Sequence, residues 1–223
     1  MENMCGRFYV DDEMARELEK ICKNIDQNNL AVYGSAHKEI HPSEKALALT
    51  ENLSQPGEPQ GKFCKWGYTA RGEGKLIINA RAETVIEKPL FRYDFEYHRC
   101  VIPARGFYEW NEEKHRYIYQ LKAETAQDKP PILFMAGIYH RQPGDDTFTI
   151  ITTKATDEAS FIHDRIPLLL NEDQIVKWIY SRQDAVEYIK KSEYGRILDI
   201  MPDNVSDKQE KIDIQPYQYK LNL

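Results

Sequence analysis

Between residues 7 and 152, nine short runs rich in aromatic and β-branched residues follow one another closely: 7–10, 46–50, 63–68, 76–78, 100–102, 107–110, 116–121, 132–139 and 147–152. Runs of this kind read as strands. Most are separated by fewer residues than the dozen or more that a crossover between parallel strands needs. Hairpins must therefore join them, and the spacing predicts an α+β fold on a largely antiparallel, curved sheet.

Helices are expected mainly at the two ends of the chain. In 12–25, Met14, Leu18, Ile21 and Ile25 recur every three or four residues behind Asp11, a natural N-cap. Residues 172–180 follow Asn171, and the spacing of Asn171 and Gln174 resembles a capping box. A third helix is expected over 184–191, with Asp184 early and Lys190 and Lys191 late, as the helix dipole prefers. There is no internal repeat. The Pro- and Gly-containing stretch 51–61 and the polar turns 122–131 and 140–146 are too short to be linkers. One domain over 1–223 is the expectation.

Charge and cysteine usage narrow the function classes. With 30 Lys plus Arg against 36 Asp plus Glu, the net charge is −6. Any contact with nucleic acid must then use a local patch. No stretch approaches the ~18 apolar residues of a membrane helix, and MENMCGRFYV lacks the basic and apolar regions of a signal peptide. A cytosolic protein is expected. Cys5, Cys22, Cys64 and Cys100 form no CxxC or CxxH pattern, so no zinc or thioredoxin-type site is written here. Two disulfides are the alternative, but a chain of this length can build its own core without them.

Four segments place reactive side chains where a core alone would not ask for them. In Met4-Cys5-Gly6-Arg7-Phe8, removal of the residues ahead of Cys5 would put a thiol and an α-amine on one carbon. An α-amine titrates near 7.7 to 8.0, so part of it is nucleophilic at neutral pH. It can capture an aldehyde as an imine, which the thiol then closes to a five-membered ring. The plain alternative is that Cys5 is a small buried hydrophobe opening a strand. In Asn79-Ala80-Arg81-Ala82-Glu83-Thr84, an extended chain sends Asn79, Arg81 and Glu83 to one face. Alternatively Asn79 caps a helix and the charges are solvated.

In the third segment, residues 100–110, strand alternation puts Glu109 on one face with Phe107 and sets Tyr108 and Trp110 on the other. A carboxyl among aromatics is costly to ionise, and desolvation would raise its pKa toward the range of a general acid. An edge-strand Glu facing water is the alternative. In the fourth, His163 and Arg165 follow Thr152-Thr153 at a short distance, offering a proton shuttle and an anion-binding group. A lone His is otherwise structural, and the other five histidines carry no such companions.

Taken together the segments resemble the SRAP (SOS response-associated peptidase) family, whose members shield abasic sites in single-stranded DNA. Met4-Cys5-Gly6-Arg7-Phe8, Trp66-Gly67, 79–84, Ile102-Pro103 through 106–110, and Thr152-Thr153 through His163-x-Arg165-x-Pro167 stand in that family's order across roughly 165 residues. The resemblance implies a barrel-like SRAP fold. It also implies a mechanism in which an N-terminal Cys5 attacks the C1′ aldehyde of an abasic site and closes a thiazolidine crosslink. Asn79 would position the amine or thiol, Glu109 would donate and accept protons, and His163 would relay them. Arg7, Arg81 and Arg165 would hold phosphates, and Trp66 would stack on a base. No metal or organic cofactor is implied, and an accessible N-terminus argues for a monomer.

In most of the family the Cys follows the initiator Met directly, whereas here Met1-Glu2-Asn3 precede Met4. Translation begins at Met4, a leader is removed by self-cleavage at Met4-Cys5, or the extra residues are not native. Arg105 stands where the family has no preference for Arg, Ile166 replaces the usual Met, and 203–223 match poorly. Two other classes compete: a cysteine-type peptidase using Cys5, His163 and Glu109, and a non-covalent single-strand binder in which Cys5 is structural.

Overall fold

The computed structural model describes residues 6–25, 37–69, 75–125, 127–155, 157–191 and 198–203. In chain order the elements are β1 (Arg7–Val10), α1 (Asp12–Ile21), β2 (Asn24–Ile25), β3 (Lys38–Ile40), β4 (Lys45–Thr50), β5 (Gln60–Trp66), β6 (Tyr68–Thr69), β7 (Leu76–Ile77) and β8 (Asn79–Arg81). Next come α2 (Arg92–Tyr97), β9 (Arg99–Ala104), β10 (Gly106–Trp110), β11 (Arg116–Leu121), β12 (Leu133–His140) and β13 (Thr147–Lys154). A 3-10 turn (Asp157–Phe161) leads to β14 (Arg165–Pro167) and β15 (Leu169–Leu170). A second 3-10 turn (Glu172–Gln174), α3 (Ile175–Tyr180), α4 (Arg182–Lys191) and β16 (Leu198–Pro202) complete the described chain.

Two sheets organise these elements. In the larger, β13, β12, β9, β4 and β5 pair antiparallel in that order, and β5 returns to β13 with Lys65 beside Thr147 and Trp66 beside Phe148. The five strands close into a ring, with β8 and β14 added to β13. The barrel-like α+β architecture expected from the sequence is the one observed. Because the ring has an inside and a covered outside, β4, β9, β12 and β13 are buried along nearly their whole length. Their runs are accordingly continuous rather than alternating. The second sheet is open, in the order β16-β11-β10-β1-β3, and antiparallel throughout.

The two sheets share a corner at Arg105, where β9 ends and β10 begins. The Arg105 N–H donates to the Tyr9 carbonyl at 2.8 Å. Its guanidinium grips Asp11 through two bonds of 2.9 Å and also bonds Glu17 and the Pro130 carbonyl. Next to it, a Cβ on Gly106 would lie 2.6 Å from the Tyr9 ring and 2.7 Å from the Tyr119 carbonyl oxygen, so the bend admits only glycine. The Arg that departs from the family pattern is thus the buried tie between β9, α1 and the 130s loop.

Two expectations shift in detail, and one helix is an addition. Helix α1 ends at Ile21 rather than residue 25, because Cys22 turns extended and 24–25 pair in parallel with Gln60-Gly61. Ile25 occupies the space a side chain on Gly61 would need, 2.6 Å from that Cβ position. The helix expected over 172–180 begins as a 3-10 turn, with the Asn171 N–H donating to Gln174 Oε1 at 2.8 Å. Helix α2 carries no apolar repeat. The buried Arg99 guanidinium holds it by donating to the Phe95 and Glu96 carbonyls of α2 and the Trp178 and Ile179 carbonyls of α3.

Candidate active site

Glu109 lies in β10 between Arg7-bearing β1 and β11, in register with Tyr117, and is fully buried. As strand alternation predicts, it shares the inner face with Phe107, whose ring stacks on Tyr119 at 4.7 Å. Tyr108 and Trp110 face the other way. The described chain begins at Gly6, and Arg7 is in register with Tyr108, the residue next to Glu109. Cys5 itself lies outside the described residues.

The Tyr119 hydroxyl donates to the Ala159 carbonyl at 3.3 Å, which fixes the 3-10 turn over the inner face of the open sheet. That turn leads directly to His163. The imidazole is about nine-tenths buried, and its Nδ1 accepts the Arg165 backbone N–H at 3.1 Å. The Arg165 carbonyl oxygen lies 3.2 Å from the same Nδ1, so a donor and an acceptor both face it and the ring's tautomer is set by which one it pairs with. Asp164 Oδ1 lies 3.2 Å from the same Nδ1.

Strand β8 carries Asn79 and Arg81. It runs parallel to β13 with Asn79 beside Ile150 and Arg81 beside Thr152. Ala80 is buried on one face, while half-buried Asn79 and exposed Arg81 share the other. Residue 78, just before Asn79, is tied down from its carbonyl by Trp66 Nε1 at 3.0 Å. Glu83, the third residue expected on that face, reaches across β13 to Arg165 with a forked pair of bonds at 3.1 and 2.8 Å. Burial, the largest single influence, pushes the Glu83 carboxyl up, but the Arg165 bonds and charge outweigh it and hold it below the usual carboxylate range.

Two of the residues expected to contact DNA have other work. Trp66 is completely buried, with Phe8 at 5.0 Å and the Phe148 ring parallel at 6.1 Å, so it cannot stack on a base. Arg165 is 5% exposed. Besides the Glu83 fork, its Nε reaches the Thr152 hydroxyl and Nη2 the Thr152 carbonyl at 2.7 Å. A guanidinium this deep needs such partners to offset its desolvation, and Arg165 is a tie between β14, β13 and β8 rather than a phosphate clamp. Arg7 is intermediate. It lies on the outer face of the open sheet, bonded to Glu39 at 3.1 Å and 5.3 Å from the Trp110 ring centre. Arg81 remains exposed at the sheet's rim.

Sequence reading missed Glu39, which binds both Arg7 and Arg116, and the Tyr119 hydroxyl. The two-residue period within β11 puts Tyr119 on one face with Tyr117 and is the signal that was available. Cys22, Cys64 and Cys100 are free and buried. Burial pushes the Cys64 thiol up to about 12 and raises those of Cys22 and Cys100, so none of the three is a ready thiolate. No three His, Cys, Asp or Glu side chains cluster in a metal-binding arrangement among the described residues, and none of the described helices is long and apolar enough to cross a membrane.

The fold and site define a small barrel-based protein with a buried carboxyl beside the start of its first strand. The sequence profile of the SOS response associated peptidase (SRAP) family matches residues 4–203, and the chain belongs to that family. Over 201 residues it is 32% identical to the abasic site processing protein YoqW of Bacillus subtilis (strain 168), covering 84% of this chain and 85% of YoqW. The abasic site processing protein YedK of Escherichia coli (strain K12) is 30% identical over 191 residues, 79% of each chain. Among solved structures, a phage-related protein from Bordetella bronchiseptica has a TM-score of 0.70 at 21% identity, covering 90% of this chain and 94% of that one. That likeness is one of fold.

Proposed function

We propose that this protein captures abasic sites in single-stranded DNA as a covalent crosslink through Cys5. The observation that carries the reading is the register of β1 on β10, which sets the chain immediately after Cys5 beside the strand that holds the buried Glu109. A nucleophile at the very start of a chain is useful only if that start is docked against proton-handling groups. The names of the relatives point to the same substrate.

The chemistry uses the α-amine and the thiol in turn. The Cys5 amine adds to the C1′ aldehyde of the ring-opened sugar, and the carbinolamine loses water to give an imine. The thiol sulfur then adds to the imine carbon while a proton returns to nitrogen, giving a thiazolidine. One water leaves overall, with no change in oxidation state. Glu109, shielded from bulk water, carries protons at the carbinolamine and imine. His163 relays a proton to the departing sugar or water oxygen. Asn79 hydrogen-bonds the amine or thiol, and Arg81 meets a flanking phosphate. Residues 1–4 must be absent for the amine to act, and self-cleavage at Met4-Cys5 by the same groups supplies that step. The protein works as a single-domain monomer in the compartment that holds DNA.

Intact-mass spectrometry of the protein alone and after incubation with an abasic single-stranded oligonucleotide tests this, using wild type and Cys5→Ala. The expected result is a chain beginning at Cys5 and an adduct equal to protein plus oligonucleotide less one water, absent in Cys5→Ala. A processed chain that forms no adduct overturns the proposal. An adduct that survives blocking the α-amine by acetylation would overturn the thiazolidine.

A further inference from the structure

Phe161 is 84% exposed, the most exposed large hydrophobic side chain among the described residues. It ends the 3-10 turn that leads into His163, and that turn is held on several sides. Ala159, two residues earlier, is buried, and its carbonyl accepts the Tyr119 hydroxyl as well as the N–H groups of Ile162 and His163. The Ala155 N–H donates to the Asp164 carbonyl at 2.8 Å and closes the base of the loop. Ile162 packs against the core. The turn is therefore fixed to the sheets on both sides of Phe161, while the phenyl ring is left in water beside exposed Ser160. Leaving a whole phenyl in water forgoes about 1.5–3 kcal/mol of burial.

The surroundings suit one occupant. Lys154 is exposed at the end of β13, in register with Arg165 two residues beyond His163. Arg81 is exposed on β8, on the other side of β13. An exposed apolar ring on the loop that carries His163 and the exposed Asp164, with Lys154 at the base of that loop, matches the pattern with which proteins hold single strands: cations on the backbone and a ring beneath a base.

We infer that Phe161 is a stacking platform for the nucleobase adjoining the abasic nucleotide, and that this base is part of what the site recognises. The inference rests on the proposed abasic-site reading and extends it to the neighbouring nucleotide. Because a π-face is common to all four bases, the platform tolerates sequence and grips the larger purines more firmly.

The test compares wild type, Phe161→Ala, Phe161→Leu and Phe161→Trp by fluorescence anisotropy on two abasic single-stranded oligonucleotides. One has purines on both sides of the abasic site, and in the other both neighbours are base-free tetrahydrofuran spacers. On the purine substrate Phe161→Ala and Phe161→Leu should bind about tenfold more weakly, as the loss of one aromatic–base stack implies, whereas Phe161→Trp should bind at least as well as wild type. On the base-free substrate the four proteins should bind alike. Equal weakening by Phe161→Ala on both substrates, or no weakening on the purine one, overturns the platform while leaving the crosslinking reading intact. A wild-type protein that neither binds nor crosslinks the abasic strand sinks both.

Discussion

Replacing Arg105 by alanine tests whether the corner between the two sheets is held as described. All five guanidinium N–H groups are used: Nε and one Nη2 bond reach Asp11, a second Nη2 bond and one from Nη1 reach Glu17, and the last reaches the Pro130 carbonyl. Asp11 is 11% exposed at its side chain and also caps α1 by accepting the Met14 N–H at 3.0 Å. Removing one partner of a buried ion pair costs about 3–5 kcal/mol. Glu17, 39% exposed, can turn into water and adds less than about 1 kcal/mol. Lys129 Nζ, 3.9 Å from Asp11, softens the loss. A net of about 3–4 kcal/mol follows, which lowers the melting temperature by roughly 6–16 °C in a protein of this size.

The pH dependence fixes the mechanism. Burial, the largest influence, pushes the Asp11 carboxyl up, but the bonds and charge of Arg105 outweigh it and hold it below its ordinary value. A depressed carboxyl stabilises the fold above its unfolded pKa of about 3.9, and the contribution is lost as pH falls through the folded value. The gap between wild type and Arg105→Ala should therefore be full at pH 7 and narrow below about pH 4. Urea unfolding followed by far-ultraviolet circular dichroism at pH 7 and pH 3 reads both. A variant within about 0.5 kcal/mol of wild type at pH 7 would refute the reasoning, since that is the spread of ordinary surface changes. A gap equal at both pH values would assign the loss to packing instead of charge.

Other outcomes follow from where the arginines and Trp66 sit. Arg81→Ala should weaken binding to abasic single strands of every sequence and lower the slope of log affinity against log salt by about 0.7, read by anisotropy between 50 and 200 mM salt. An unchanged slope would remove Arg81 from the phosphate path. Trp66→Phe should cost about 1–3 kcal/mol of stability, because the smaller ring leaves a void in the core and one of the two hydrogen bonds to the Ile78 carbonyl is lost, the Ile150 N–H remaining. The folded variant should bind DNA as tightly as wild type, and a selective loss of affinity would restore Trp66 as a base contact. Glu83→Gln should weaken the hold on Arg165 and slow crosslinking without abolishing it, with little change in affinity; an affinity loss matching that of Arg81→Ala would instead make Glu83 part of the DNA path.

How much was legible in the sequence depended on how far apart the partners are. Residues 7–10 and 116–121 were bounded correctly as strands because a local period of two is all they need. The common face of Asn79 and Arg81 followed from the same rule. The parallel seating of β8 on β13 did not, because it joins residues some 70 positions apart and no local pattern encodes it. The burial of Trp66 was written in alternation that went unused: Cys64 and Trp66 are buried while Lys65 between them is exposed, as one face of a core strand requires. Motif membership was the wrong guide there.

The arginines show why. Arg7, Arg81 and Arg165 all stand in motifs of the family, and nothing in one sequence separates an arginine that meets a ligand from one that ties strands together. The distinction lies in the carboxylates, which arrive from elsewhere in the chain: Glu83 reaches Arg165 across 82 residues and Glu39 reaches Arg7 across 32. A guanidinium forked by a carboxylate is electrically spent, so the surplus of Asp and Glu behind the net charge of −6 is partly an internal lattice that neutralises structural arginines. The exposed cations at this edge of the barrel are Arg81 and Lys154, and counting buried motif cations overstates the charge that solvent meets. If the proposed function holds, the salt dependence of binding should reflect about two neutralised phosphates at this edge rather than one for every motif arginine.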